Sequence, residues 1–174
     1  MKKSNIVLSD YDVLLHEYSI WTSARASQRG FCSTRDIAES INASGLQSFA
    51  KTLMSRREID FSAYHKIVCD ELLAFLGNRI HKGVRWGRIA KIVNVYLKTS
   101  VVIPGKGSAN KHIHPPIDGR LLDRLKKEKI IVNKPKAWSK MSENEYNALI
   151  KSLYADDRFE QLWMYDRLWT SYKK

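Results

Sequence analysis

The chain has 174 residues, 44% of them hydrophobic, and carries 30 Lys and Arg against 18 Asp and Glu, a formal net charge of +12. That length is enough to bury about 70% of the unfolded surface, and five Trp, eight Tyr and five Phe argue for one packed domain rather than a disordered basic tail. Two cysteines, Cys32 and Cys69, are too few for a disulfide framework or a zinc finger.

The opening MKKSNIVLSDYDVLL reaches Asp10 and Asp12 before any usable apolar run, so neither a signal peptide nor a membrane span of ~20 apolar residues is expected. A cytoplasmic protein follows as the expectation. The charge is unevenly spread. Residues 79–140 hold 16 Lys and Arg against 3 acids, and the rest of the chain holds 14 against 15. A clustered cationic surface points to an anionic partner, of which nucleic acid is the commonest.

No proline precedes Pro104, and apolar residues recur at helical spacing up to that point, which predicts an all-α fold of six to eight helices over residues 1–174. Ser9 and Asp12 suggest the start of a first helix over about 10–29, with Tyr11, Leu14, Leu15, Tyr18 and Trp21 as its inward stripe. The same stripe continues into Arg25 and Arg29. Guanidiniums on such a line either meet carboxylates such as Asp36 or Asp60, or face a phosphate. Gly30 should end this helix, and Ser33 or Thr34 should cap a second with Ile37, Ala38 and Ile41 inward. Ser44-Gly45 breaks it, and Leu46, Phe49, Leu53 and Met54 predict a short third.

A fourth helix is predicted over about 58–76, stopping at Gly77-Asn78. His65 and Cys69 fall one turn apart on it, as a core pair rather than metal ligands. The next helix, about 84–98, combines an apolar arc of Ile89, Ile92, Val93, Tyr96 and Leu97 with Arg88, Lys91 and Lys98 on its other face. It holds no acid for i, i+4 pairing, so phosphate contact is a better account of that row than solubility. Residues 99–116 read as a loop, with Val101 to Ile103 extended and PGKGSANK suited to wrapping phosphate oxygens.

His112 and His114 alternate and should point the same way, as hydrogen-bonded loop histidines rather than a zinc site with Asp118. No metal or other cofactor is expected. Asp118 is placed to cap a helix running to about Glu128, and the same position would orient a catalytic carboxylate beside a basic surface. Beyond a basic connector with Trp138, Ser142 and Glu145 form a capping box. A final helix is predicted over about 156–170, with Phe159, Leu162, Trp163 and Trp169 in the core.

Three segments, WTSARASQRGF (21–31), WGRIAKIVNVYLKTSVVIP (86–104) and HPPIDGRLL (114–122), resemble a family of small bacterial proteins with a GRAAKII-type helix followed by HPPID. That family resemblance carries no activity with it. More distantly, HKGVRWGRIAK followed by PPID is similar to the helix-hairpin-helix DNA glycosylases, the 8-oxoguanine type included. Those enzymes carry a Gly-rich hairpin, a helix with a Lys, and an Asp opening the next helix. The likeness implies Asp118 as the carboxylate supporting base excision and places the Lys at Arg88 or, with a shift, at Lys91. Only Lys91 could be an amine nucleophile, since guanidinium stays protonated. Gly83 and Gly87 stand four apart rather than as a close pair, and the segment reaching Asp118 is longer than in that family.

The reading is therefore a nucleic-acid-binding protein, DNA for preference, using Arg25, Arg29, Arg85, Arg88, Lys91, Lys98, Lys106, Lys111, Arg120, Lys126 and Lys127. One alternative is a glycosylase-like enzyme with Asp118 and Lys91 at its centre. Another is a module whose basic face docks an acidic protein.

Overall fold

A computed structural model describes residues 3–27, 32–55, 59–77, 79, 86–106, 111–133, 135 and 137–169, with side chains from residue 10 onward. Among the described residues seven α-helices run in order: α1 Lys3–Ser27, α2 Thr34–Ala43, α3 Leu46–Met54, α4 Phe61–Leu76, α5 Trp86–Leu97, α6 Gly119–Lys127 and α7 Glu143–Ala155. A π-helical segment, Lys98–Lys106, continues α5, and two 3-10 segments cover Trp138–Lys140 and Leu162–Leu168. No strand occurs among the described residues, so the fold is all-α. No described helix is long and apolar enough to cross a membrane.

The helix starts follow from capping chemistry. Ser33 and Asp36 form a capping box for α2, Asp60 accepts from Ala63 N–H at the start of α4, and Ser142 and Glu145 form a second box for α7. The expected ends at Gly30 and Asn78, and the loop residues Gly107 to Asn110, lie outside the described residues.

The centre of the fold is α5. Trp86, Gly87, Ile89, Ala90, Ile92, Val93, Asn94, Tyr96 and Leu97 are all buried on it, and α1, α4 and α7 all pack against it. The row of Arg88, Lys91 and Lys98, expected as a phosphate-contacting face, is confined to a half-buried margin, because the helix is buried on most of its circumference. Residues 98–106 also differ from expectation. They do not form a loop but carry the α5 axis on as a π-type turn until Gly105, whose φ of 81° is open to glycine and ends it. Thr99 and Ser100 donate their hydroxyls to Val95 O and Tyr96 O, inside the helix.

The larger correction concerns α1. It begins well before the expected start, and its predicted inward stripe faces out: Tyr11, Leu14, Tyr18 and Trp21 are each more than half exposed. The buried line is Ser19, Ser23, Ala24 and Ser27. Ser19 and Ser23 donate to the carbonyls of Leu15 and Ser19, each at 2.7 Å, which turns serine into a small, satisfied packing surface. That lets α1 lie close against α5, where His16 bridges Tyr96 (2.6 Å) and Asn42 (3.0 Å). Arg25 goes with the outward stripe and is exposed, not a buried paired guanidinium. The final predicted helix is also shorter than expected, a single 3-10 segment with Leu162 and Tyr165 buried.

Candidate functional site around Lys91 and Asp118

Lys91 extends from the half-buried margin of α5, and Asp118 caps α6. The extended chain 113–118 brings the two together: Lys91 Nζ lies 3.9 Å from Asp118 Oδ2, with side chains only 11% and 20% exposed. The carboxylate divides its work between its oxygens. Oδ1 accepts the Leu121 N–H at 2.9 Å, which is the helix cap. Oδ2 accepts the Trp169 indole N–H at 2.9 Å and faces Lys91. A cap and an oriented carboxylate are thus the same residue, so the two readings of Asp118 do not compete.

Two indoles wall this pair. Trp169 donates to Asp118 and carries the Arg120 guanidinium 5.4 Å above its ring. The Trp138 ring lies 4.4 Å from Lys91 Nζ and 5.8 Å from the Arg88 guanidinium, within cation–π range. Gly87 sets this position. A Cβ there would stand 2.0 Å from the Trp138 carbonyl oxygen and 3.1 Å from Met141 Cβ, so only glycine lets the Trp138 segment lie on α5. Gly87 N–H also bonds to Met141 O at 3.1 Å.

Burial pushes the Lys91 amine below the usual lysine range, with Asp118 opposing and Arg88 adding to the shift. Its ammonium has an ion-pair neighbour and an aromatic face, but 3.9 Å is beyond hydrogen-bond distance. Burial therefore disfavours the charged form of this amine while the adjacent carboxylate favours it.

The other predicted cations separate into three groups. Lys98 is ion-paired with Asp166, and Arg88 is half-buried against Trp138. Lys106, Lys111, Arg120, Lys126 and Lys127 are exposed, with Lys126 Nζ donating to Val132 O at 2.9 Å. Arg25 is exposed on the outer face of α1, and Arg29 and Arg85 lie outside the described residues. The hairpin Gly83 that would test the glycosylase likeness also lies outside them.

His112 and His114 do point to the same side. His112 Nδ1 meets Tyr154 OH and His114 Nδ1 meets Tyr146 OH, each at 2.9 Å, both on α7. Burial lowers the pKa of both histidines, and neighbouring positive or titrating groups add to it. No group of three His, Cys, Asp or Glu able to hold a metal occurs among the described residues.

Sequence reasoning missed Trp138, Trp169 and Gly87 as parts of this site. An indole inside a basic connector was a signal for Trp138; the partnership of Trp169 with a residue 51 positions away had none.

The class these features define is an all-α protein with a lysine–carboxylate pair set between tryptophans on its most basic region. No protein-family model, no curated protein and no solved structure matches this chain.

Proposed function

We propose that this protein binds nucleic acid through the cationic region 79–140, and that Lys91 and Asp118 form a base-processing centre within it. One observation carries the reading: a desolvated lysine amine 3.9 Å from a fixed carboxylate, with the indoles of Trp138 and Trp169 on either hand. Exposed Lys106, Lys111, Arg120 and Lys127 offer phosphate contacts around it, and indole faces suit stacking of an unpaired base. Lys98 does not belong to this surface as a free cation, because Asp166 holds it.

The chemistry that fits is displacement at the anomeric carbon of a nucleotide. The uncharged Lys91 amine attacks that carbon as the bond to the base breaks; the base leaves with the bonding electrons and takes up the proton that the new C–N nitrogen sheds, and opening of the sugar ring, with its oxygen protonated, turns that bond into an imine. Asp118 stabilises the positive charge that develops on the sugar. Arg88, permanently protonated, serves binding only. The distant likeness to base-excision glycosylases supports Asp118 from the sequence side and, with a shift from Arg88, Lys91.

Binding is tested by the salt dependence of duplex association. Each phosphate contact contributes about −0.9 to the slope of log K against log salt. Changing Lys106, Lys111 and Lys127 together to Gln shallows that slope by about one to three such steps and leaves the fold intact. Failure of duplex DNA, single-stranded DNA and RNA all to bind at low salt overturns the reading.

A further inference from the structure

A second site stands apart from Lys91, where α4 and α7 meet the first turn of α5. A cavity of about 420 Å³ opens there, lined by Ser62, Lys66, Trp86, His114, Lys151 and Tyr154 among others. That is the size range of small-ligand sites. Two of its lining residues are buried and carry a ring nitrogen with no partner among the described residues: Trp86 Nε1 and His114 Nε2. Trp86 is 7% exposed and His114 4%. Buried polar atoms left unpaired are rare and costly.

The hydrogen bonds fix what those two nitrogens offer. Pro115 O can only accept, so the group facing it at 3.1 Å is the Asn94 amide nitrogen, which also donates to Tyr146 OH at 2.8 Å. Asn94 Oδ1 is then the acceptor for His65 Nε2–H at 2.9 Å. Tyr146 OH, accepting from Asn94, keeps its own proton for His114 Nδ1. His114 is left as the tautomer with its proton on Nε2. Both orphan nitrogens are donors. Burial keeps His114 neutral, so no internal charge satisfies them.

The rim supplies charge. Lys66 Nζ stands 5.0 Å over the Trp86 ring and is bound by Asp70 and Glu143, while Lys151 is exposed beside it. We propose that this cavity is a binding site for a small anion, whose carboxylate or phosphate oxygens accept the Trp86 and His114 N–H groups while Lys151 balances its charge. The site shares no residue with the Lys91–Asp118 pair, so it stands or falls independently of the nucleic-acid reading.

The test is a titration of the ¹⁵N-labelled full chain with sodium acetate and, separately, inorganic phosphate, at ionic strength held constant with chloride. The indole N–H signal of Trp86, assigned by its loss in Trp86→Phe, is expected to move downfield and saturate with at least one of the two, while the Trp138 and Trp21 indoles do not. The anion that saturates it distinguishes carboxylate from phosphate. Trp86→Phe and, separately, the exposed Lys151→Gln are each expected to weaken the binding about tenfold, read from His114 Nε2–H; the second keeps the test open if the first disturbs folding. A Trp86 signal unmoved by both anions, or one that shifts linearly in step with the other indoles, overturns the proposal. So does an anion-independent water contact to both N–H groups, which assigns the cavity to a structural water.

Discussion

Lys91 and Asn94 stand one turn apart on α5, and their surroundings treat polarity in different ways. Asn94 is fully buried, and every polar atom of its side chain is used: it joins His65, Tyr146 and Pro115 across three separate elements, with Cys69 extending the chain at 3.7 Å from His65. No member of that network carries a charge, because burial holds the histidines neutral and the tyrosine and thiol protonated. Lys91, in contrast, keeps a half-buried side chain with a carboxylate neighbour at 3.9 Å and no hydrogen bond of ordinary length among the described residues. A network whose bonds are complete specifies packing. A charge whose bonds are incomplete is available for chemistry. The contrast separates what holds α5 in place from what α5 presents.

The strongest way to break this contrast is Asn94→Ala. It strands His65 N–H, Pro115 O and the Tyr146 hydroxyl together, and the expected loss is about 4 kcal/mol in chemical denaturation, at one to three kcal/mol per stranded group with partial relaxation. Lys91→Gln, one turn away, is expected to cost far less, because the group it removes was not hydrogen-bonded. Equal losses would show that the two positions do the same structural work.

Acid sharpens the same contrast. His65 titrates near 6.5 when unfolded and is lowered to about 4 in the fold by desolvation, with the Asn94 hydrogen bond opposing. As pH falls through that interval the unfolded chain takes up the proton first, so stability present above pH 6.5 is lost by about 3 kcal/mol on reaching pH 4. His114 acts in the same direction. Lys91 has its effect at the other end of the scale: its lowered pKa means that folding is relieved of a charging cost as pH rises toward the ordinary lysine value. Urea denaturation at pH 4, 5 and 6.5 checks the acid limb. A flat profile across that range would mean that His65 is solvated.

Asp118→Asn has a smaller effect on stability than Asn94→Ala but a more specific one. Its two oxygens accept from different donors, Leu121 N–H on one side and the Trp169 indole on the other. An amide can turn its oxygen to only one of them, and its NH₂ then meets the other donor. A loss of about 1–2 kcal/mol is expected, whereas a cap alone would tolerate Asn with little change.

Local rules account for the parts of the fold that were legible in the sequence. Ser33, Asp60, Ser142 and the Asp118 cap each act within three residues of themselves, and His112 and His114 both meet tyrosines of α7 as their spacing suggested, although His112 sits in a turn. The inward face of α1 was not legible, because Ser19 and Ser23 become packing residues only by bonding to their own helix. A stripe of Tyr, Leu and Trp at helical spacing outweighed them on hydrophobicity. The meeting of Lys91 with Asp118 was suggested by the glycosylase likeness, not by spacing. The indoles that frame the pair come from residues 47 and 78 positions beyond Lys91, Trp138 set by its packing on Gly87 and Trp169 by its bond to Asp118.

The most direct test of the central claim is reductive trapping. Purified protein is incubated with duplexes carrying an abasic site, an oxidised purine, an alkylated purine or a deaminated base, and borohydride is added. The account predicts a covalent protein–DNA species with at least one duplex, mapped to Lys91 by peptide mass, absent in Lys91→Gln and reduced at least tenfold in Asp118→Asn while both variants remain folded and DNA-bound. No trapped species and no released base with any of the four, from protein that binds the duplexes, would contradict it.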